Sequence, residues 1–160
     1  MFNRSYDREA VLAYAKTWAM RRNPRYADFT QMGGDCTNFV SQCIYAGAGV
    51  MNPEPVFGWY YRGMNDRAPA WTGVDALCRF LTGNRGLGPF AKFCDREELQ
   101  VGDVIQLQNR EGRFYHGLVV VSAGKNLLVA AHDDNAWMRP LYSYDFLDMR
   151  CLKILGIRAA

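Results

Sequence analysis

The sequence lacks long hydrophobic runs, and this absence excludes whole classes of protein. No stretch approaches the roughly 18 to 20 consecutive apolar residues that span a bilayer. The N-terminal segment also has no apolar core of the kind found in signal peptides. We therefore expect no membrane association and, for the chain as written, a cytoplasmic location.

Excess charge and paired cysteines are also absent. Nineteen Lys and Arg residues against sixteen Asp and Glu leave a net charge of only +3, and no basic block offers a surface for nucleic acid. The five cysteines are an odd number without a CxxC pair, which excludes a complete disulfide framework and zinc-ribbon spacing. We expect reduced thiols, no nucleic-acid partner and no cofactor.

The residues that are present describe a chain able to bury a core. Its 160 residues, 49% of them hydrophobic, predict one domain over residues 1–160. Helical periodicity marks residues 8–21, with Asp7 as the expected N-cap, and residues 72–81. A second helix is expected after Asp35, which is placed to cap it, and ends at Gly47-Ala48-Gly49. Residues 50–71 resemble an ordered aromatic loop, and strand patterns follow at 104–107, 116–121, 127–131 and 152–157. Helices before antiparallel strands predict an α+β fold with the helices packed on the sheet.

Cys36 occupies an unusual place for a buried thiol. It follows Asp35 in the predicted first turn of the second helix, where the helix dipole stabilises a thiolate. Free backbone N–H groups there can donate to an oxyanion that forms beside the sulfur. Gly33 and Gly34 let a substrate backbone approach closely. We therefore interpret Cys36 as a nucleophile.

A nucleophilic thiol needs a base, and the chain has two histidines, His116 and His132. Both lie at the ends of strands joined by a predicted hairpin at Gly124-Lys125-Asn126. Depending on how the turn is centred, His116 is opposite His132, Asp133 or Asp134. The spacing therefore leaves all three as candidates for the group that orients the base.

These residues resemble a known family. Asn23-Pro24-Arg25-Tyr26, Phe29 and the block from Gly33 to Gln42 (Gly-Gly-Asp-Cys-Thr-Asn-Phe-Val-Ser-Gln) look like the signature of the bacterial Putative amidase domain. Weaker matches follow in order at Trp71, Gly102-Asp103-Val104-Ile105-Gln106, the His116 strand, Ala131-His132-Asp133-Asp134 and Pro140-Leu141.

That family is similar to papain-like cysteine hydrolases of the NlpC/P60 and CHAP type, so the resemblance implies a papain-like fold. It also implies a cysteine amidase or peptidase that cleaves peptide-type amides, with bacterial cell-wall peptides as the substrate class. Cys36 is then the nucleophile and His116 the base. By position His132 orients the base, with Asp134 as the alternative.

Further residues are candidates for the oxyanion hole or for substrate binding. The resemblance suggests Gln31 or Tyr26 for the oxyanion hole, and Asp35 adjoins the nucleophile. The aromatic loop offers Trp59 and Trp71 as walls of a substrate groove.

Three other functions use the same residues. The acyl-enzyme can pass to an amine, as in an acyltransferase of the transglutaminase kind. The scaffold can bind a peptide without cleaving it. Finally, Cys36, His116 and His132 include ligand types that zinc or copper accept, although their scattered spacing favours no metal.

Overall fold

The computed structural model describes residues 1–160 and contains four helices and nine strands. The helices are α1 (Arg8–Trp18), α2 (Cys36–Ala48), α3 (Pro69–Thr72) and α4 (Val74–Gly83). The strands are β1 (Phe2–Arg4), β2 (Tyr61–Gly63), β3 (Asp66–Arg67), β4 (Gly88–Cys94), β5 (Val104–Gln108), β6 (Phe114–Ser122), β7 (Leu128–Ala131), β8 (Ala136–Pro140) and β9 (Asp148–Ala159). None of the helices combines the length and apolar character that a membrane span requires.

Seven of the strands form one antiparallel sheet. Its order is β1-β9-β5-β6-β7-β8, and β4 also pairs with the long strand β9. The strands β2 and β3 form a separate hairpin. The predicted α+β class with helices beside an antiparallel sheet is therefore confirmed.

The first two helices follow their local signals. Asp7 caps α1, since its carboxylate accepts a hydrogen bond from the Ala10 N–H at 3.0 Å. The second helix begins at Cys36 and ends before Gly49, whose φ of 67° is the left-handed conformation that favours glycine. These predictions are confirmed, although α1 ends at Trp18 rather than at residue 21.

Other predicted boundaries were wrong. The helix expected over residues 72–81 is α4, which begins at Val74 and ends at Gly83, and the short helix α3 precedes it. The region 50–71, expected to be a loop, contains the β2-β3 hairpin. The strands β1, β4 and β8 were missed; β4 has a register irregularity between Phe90 and Ala91 that interrupts its alternation.

Buried residues lie on both faces of the sheet. The larger cluster joins the helices to the sheet and includes Phe39 and Val40 of α2 with Val119 of β6. A smaller cluster covers the other face and includes Leu118 and Val120. The helix α2 lies against β6 at Gly117, where an added Cβ would be 3.4 Å from Val40 Cγ2 and 3.9 Å from Thr37 Oγ1. The sheet therefore holds the first turn of α2 beside the beginning of β6.

Candidate active site

Cys36 is the first residue of α2 and is 6% exposed. Its Sγ lies 3.8 Å from Thr37 Oγ1 and 4.0 Å from the carbonyl oxygen of Tyr115, the residue before His116. Gly33 and Gly34 precede Cys36 with φ values of 94° and 111°, which residues other than glycine rarely adopt. The thiol thus stands at the positive end of a helix and next to β6.

His116 lies between the thiol and a carboxylate. Its Nε2 is 3.6 Å from Asp134 Oδ1, and the Cys36 thiol is the other side chain that interacts with the ring. Burial by itself lowers the pKa of His116, but hydrogen bonds and charge from Asp134 and Cys36 outweigh burial and raise that pKa to about 9. The ring therefore carries a proton at neutral pH, between the Cys36 side chain and the Asp134 carboxylate.

Asp134 is fixed from its other side. Its Oδ2 accepts hydrogen bonds from the Tyr144 hydroxyl at 2.6 Å and from Arg139 Nη1 at 2.8 Å. Burial raises the pKa of Asp134, whereas hydrogen bonds from His116 and Tyr144 and the charge of His116 lower it to about 2. Asp134 is consequently an anchored anion. Sequence reasoning missed Arg139 and Tyr144, since nothing local ties a β8 arginine or a later tyrosine to a histidine on β6.

The structure places His132 away from His116. Its Nδ1 is 2.7 Å from Asp35 Oδ2, its Nε2 is 2.8 Å from the Trp18 carbonyl oxygen, and only 1% of the residue is exposed. Its ring also stacks on Phe39 with centroids 4.0 Å apart. The position expected for His132, next to the base, is occupied by the alternative, Asp134. The three candidate metal ligands Cys36, His116 and His132 therefore do not converge.

Strand register explains this correction. The strands β6 and β7 pair Val119 with Ala130, and both residues pack beneath the helices. Side chains alternate along a strand, so His132 points to the same face as Ala130, under α1 and α2. Gly117 and Val119 also lie on that face of the sheet, whereas the His116 side chain points to the opposite face.

The turn after β7 carries backbone strain next to the site. Asp133 and Asn135 have φ values of 74° and 48°, in the left-handed region. Side-chain contacts hold both residues: Asp133 Oδ1 accepts the Asp35 N–H at 2.7 Å, and Asn135 Oδ1 accepts Arg22 Nη1 at 2.7 Å. The turn that carries Asp134 is thereby tied to the segment that carries Cys36.

The tryptophans proposed as groove walls are core residues, which corrects that expectation. Trp59 and Trp71 are fully buried, with ring centroids 4.8 Å apart. The indole N–H of Trp71 donates to Asn38 Oδ1 at 3.0 Å, and that of Trp59 donates to Ser41 Oγ at 3.0 Å. Both rings therefore support α2 from below and are unavailable to a substrate.

No hydrogen bond joins the other predicted binding residues to the thiol. Gln31 is exposed in the turn before Gly33 and has no side-chain hydrogen bond. Tyr26 packs on Trp71 and Tyr61, with centroid distances of 6.1 and 5.1 Å. Asp35 is completely buried and faces His132 instead of the surface.

The remaining thiols differ from Cys36 in their surroundings. Burial raises the pKa of Cys94 to about 11 and that of Cys151 to about 12. Burial also raises the pKa of Cys43 and of Cys78. None of these four has a histidine partner among its hydrogen bonds, so few of their thiolates exist at neutral pH.

Comparison with known proteins matches the chain to one protein family. The family model described as "Putative amidase domain" matches residues 5–152. A protein named "Uncharacterized protein YhbB" from Bacillus subtilis (strain 168) is 33% identical over 145 residues. The match covers 88% of this chain and 45% of that relative, so the chain spans less than half the relative's length. No solved structure matches the chain significantly.

Proposed function

Because the chain belongs to the Putative amidase domain family, we propose that it hydrolyses a peptide-type amide bond through a thioester on Cys36. The observation that carries the proposal is the arrangement around His116, which has the thiol of a helix-start cysteine on one side and Asp134 on the other. Nucleophile, base and orienting group are the three parts that thiol catalysis of acyl transfer requires. The papain-like placement suggested by the sequence belongs to this proposal.

In the proposed reaction His116 donates a proton during acylation and accepts one during deacylation. The Cys36 thiolate attacks the amide carbonyl carbon, and the oxygen becomes negative near the N–H groups of the first turn of α2. The His116 imidazolium gives its proton to the leaving amine as the C–N bond breaks. His116 then takes a proton from water, which attacks the thioester and releases the carboxylic acid and the thiolate. Asp134 stabilises the imidazolium before acylation and again when it forms during deacylation.

The substrate class we propose is a peptide, with bacterial cell-wall peptides as the first set to test. Glycines at positions 33 and 34 leave the approach to the thiol without side-chain bulk. An amine in place of water would give an acyl transfer with the same residues, and product analysis in the presence of an added amine distinguishes the two outcomes.

The direct test is site-resolved alkylation of the five thiols between pH 5 and pH 9. We expect iodoacetamide to modify Cys36 fastest, well below pH 8, because only this thiol has an imidazolium partner. The variant His116→Ala should lose that advantage. Cys94, which is half-buried, is the internal comparison within the same sample. Equal rates for Cys36 and Cys94 in the native protein would contradict the proposal.

Turnover provides the second part of the test. The substrate is a peptide amide that the native protein is found to hydrolyse. We expect Cys36→Ala to hydrolyse it at least about 10³-fold more slowly, since the covalent step cannot occur. The matched control Cys94→Ala removes a thiol from β4 and should retain turnover. Hydrolysis that persists in Cys36→Ala would refute the thioester mechanism.

A further inference from the structure

Asp35, at the N-cap position of α2, does not act as an ordinary helix cap. Asp35 has φ −108° and ψ 0°, whereas capping residues normally have extended backbone that lets the side chain accept N–H groups of the first turn. Its side chain makes no such hydrogen bond. An aspartate at this position that leaves its own helix uncapped is unusual, and the sparsely populated bridge conformation is one that active-site residues often adopt.

The Asp35 carboxylate is instead fully occupied elsewhere. Oδ1 accepts the Phe29 N–H and an Asn38 side-chain N–H, both at 2.9 Å. Oδ2 faces His132 Nδ1 at 2.7 Å, and Arg22 Nε lies 3.4 Å from the same oxygen. Asp35 and His132 are at most 1% exposed, so no water competes for these contacts. The carboxylate is held in the interior.

As a consequence, the first turn of α2 retains its unused donors. The backbone N–H groups of Cys36, Thr37 and Asn38 have no acceptor in the protein, and the first helical bond runs from Phe39 N–H to the Asp35 carbonyl at 3.0 Å. A normally placed aspartate side chain would take one or two of these donors. It would also bring a negative charge next to the Cys36 sulfur.

We propose that Asp35 and His132 are a positioning pair, in which His132 holds the Asp35 carboxylate away from the first turn of α2. The donors beside Cys36 thus remain available for the carbonyl oxygen that becomes negative during acylation. The inference rests on the proposed function, because it assigns a purpose to those donors in that reaction. It also gives His132 a role different from orienting His116.

The test compares two reactions of the same sulfur. p-Nitrophenyl acetate forms a bond between Sγ and the acetyl carbon and releases p-nitrophenolate, with negative charge on the carbonyl oxygen on the way. Iodoacetamide also forms a bond to Sγ and releases iodide, but no oxyanion develops. Because the acetyl thioester can itself hydrolyse, the acylation rate is the initial release of p-nitrophenolate that Cys36→Ala loses, and the alkylation rate at Cys36 comes from peptide mass spectrometry. The ratio of the two rates therefore reports the oxyanion donors separately from thiolate formation and from folding.

Two amide variants separate the two contacts of His132. His132→Gln places an N–H near the former Nε2, where it meets the Trp18 carbonyl, and abandons Asp35. His132→Asn places an N–H near the former Nδ1, where it still meets Asp35. We expect His132→Gln to lower the ratio of acylation to alkylation by about 10- to 100-fold. His132→Asn should restore the ratio to within about threefold of the native protein.

Equal ratios in the two variants, or a loss in His132→Asn alone, would overturn the inference. If instead native Cys36 reacts no faster than Cys94 with either reagent, the proposed function fails first, so the two failures are distinguishable. Alkylation of Cys43, which is fully buried in the native protein, identifies an unfolded variant. If both amide variants unfold, Asp35→Ser provides the test, because its hydroxyl reaches only the first turn of α2 and takes up a donor there. We expect this variant to lower the ratio of acylation to alkylation, and an unchanged ratio would overturn the inference.

Discussion

The charges at the candidate site belong to a network, and pH acts on that network at the scale of single residues. The pKa of His116 is raised from its ordinary 6.5 to about 9, so its contribution to stability is complete below about pH 6.5 and disappears as pH rises through 9. The pKa of Asp134 is lowered to about 2, so its contribution is present above its ordinary value and disappears as pH falls through 2. Both contributions are complete only in mildly acidic solution.

This window leads to a prediction for Asp134→Asn. We expect the variant to have a lower melting temperature than the native protein near pH 6, and the difference to shrink as pH rises through about 9, because a neutral amide stabilises imidazolium poorly. Circular dichroism melts across pH 5–10 measure the difference. Asp145→Asn is the matched control, since the Asp145 side chain is 87% exposed. A difference that does not change with pH would contradict this assignment of charges.

At the scale of elements, α2 carries the candidate nucleophile and also forms much of the core. Its packing against α1 depends on Gly47, where an added Cβ would come within 2.5 Å of Val11 Cγ2 and 2.7 Å of the Asp7 carbonyl oxygen. The Asp7 N–H also donates to the Gly47 carbonyl at 3.0 Å. The crossing of the two helices therefore requires a residue without a side chain.

We predict that Gly47→Ala lowers the free energy of unfolding by about 1–3 kcal/mol, because α1 must shift to admit the methyl group. Chemical denaturation measures the change. Gly83→Ala, in the last position of α4, is the control: its Cβ meets nothing within 4 Å, so stability should not fall. If both substitutions have the same effect, close packing at Gly47 is not the cause.

At the scale of the whole molecule, one buried carboxylate joins the beginning of the chain to the sheet. Asp103 is fully buried, and its Oδ1 accepts hydrogen bonds from Arg8 Nη1 at 2.8 Å and from the Ile154 N–H at 2.9 Å. Its Oδ2 accepts the Gln100 N–H at 2.8 Å. Arg8 also donates to the Ile154 carbonyl, so α1, the turn before β5 and β9 meet at this group.

We expect Asp103→Ala to lower the free energy of unfolding by about 3–5 kcal/mol, because it leaves a partly buried arginine and two backbone N–H groups without their acceptor. Urea denaturation provides the measurement. Asp66→Ala serves as the control, since its pair with Arg62 is exposed on both sides and should contribute nothing measurable. Similar losses in the two variants would show that Asp103 does not have this joining role.

The sequence by itself determined the features that depend on neighbouring residues. The Asp7 cap, the start of α2 at Cys36 and its end at Gly49 were predicted because caps and helical periodicity act over a few residues. The strands β5, β6 and β7 were predicted from apolar, β-branched runs. The short exposed strand β1 lacked such a signal and was missed.

Only the tertiary structure decided which polar group meets which. Asp134, rather than His132, lies beside His116, because the pairing of Val119 with Ala130 turns His132 under the helices and the strained turn that follows brings Asp134 back. The same pairing sends His132 to Asp35, which looked like a helix cap in the sequence. A shift of one residue in strand register reverses these partners, and register is set by packing of the whole sheet, which no local pattern records.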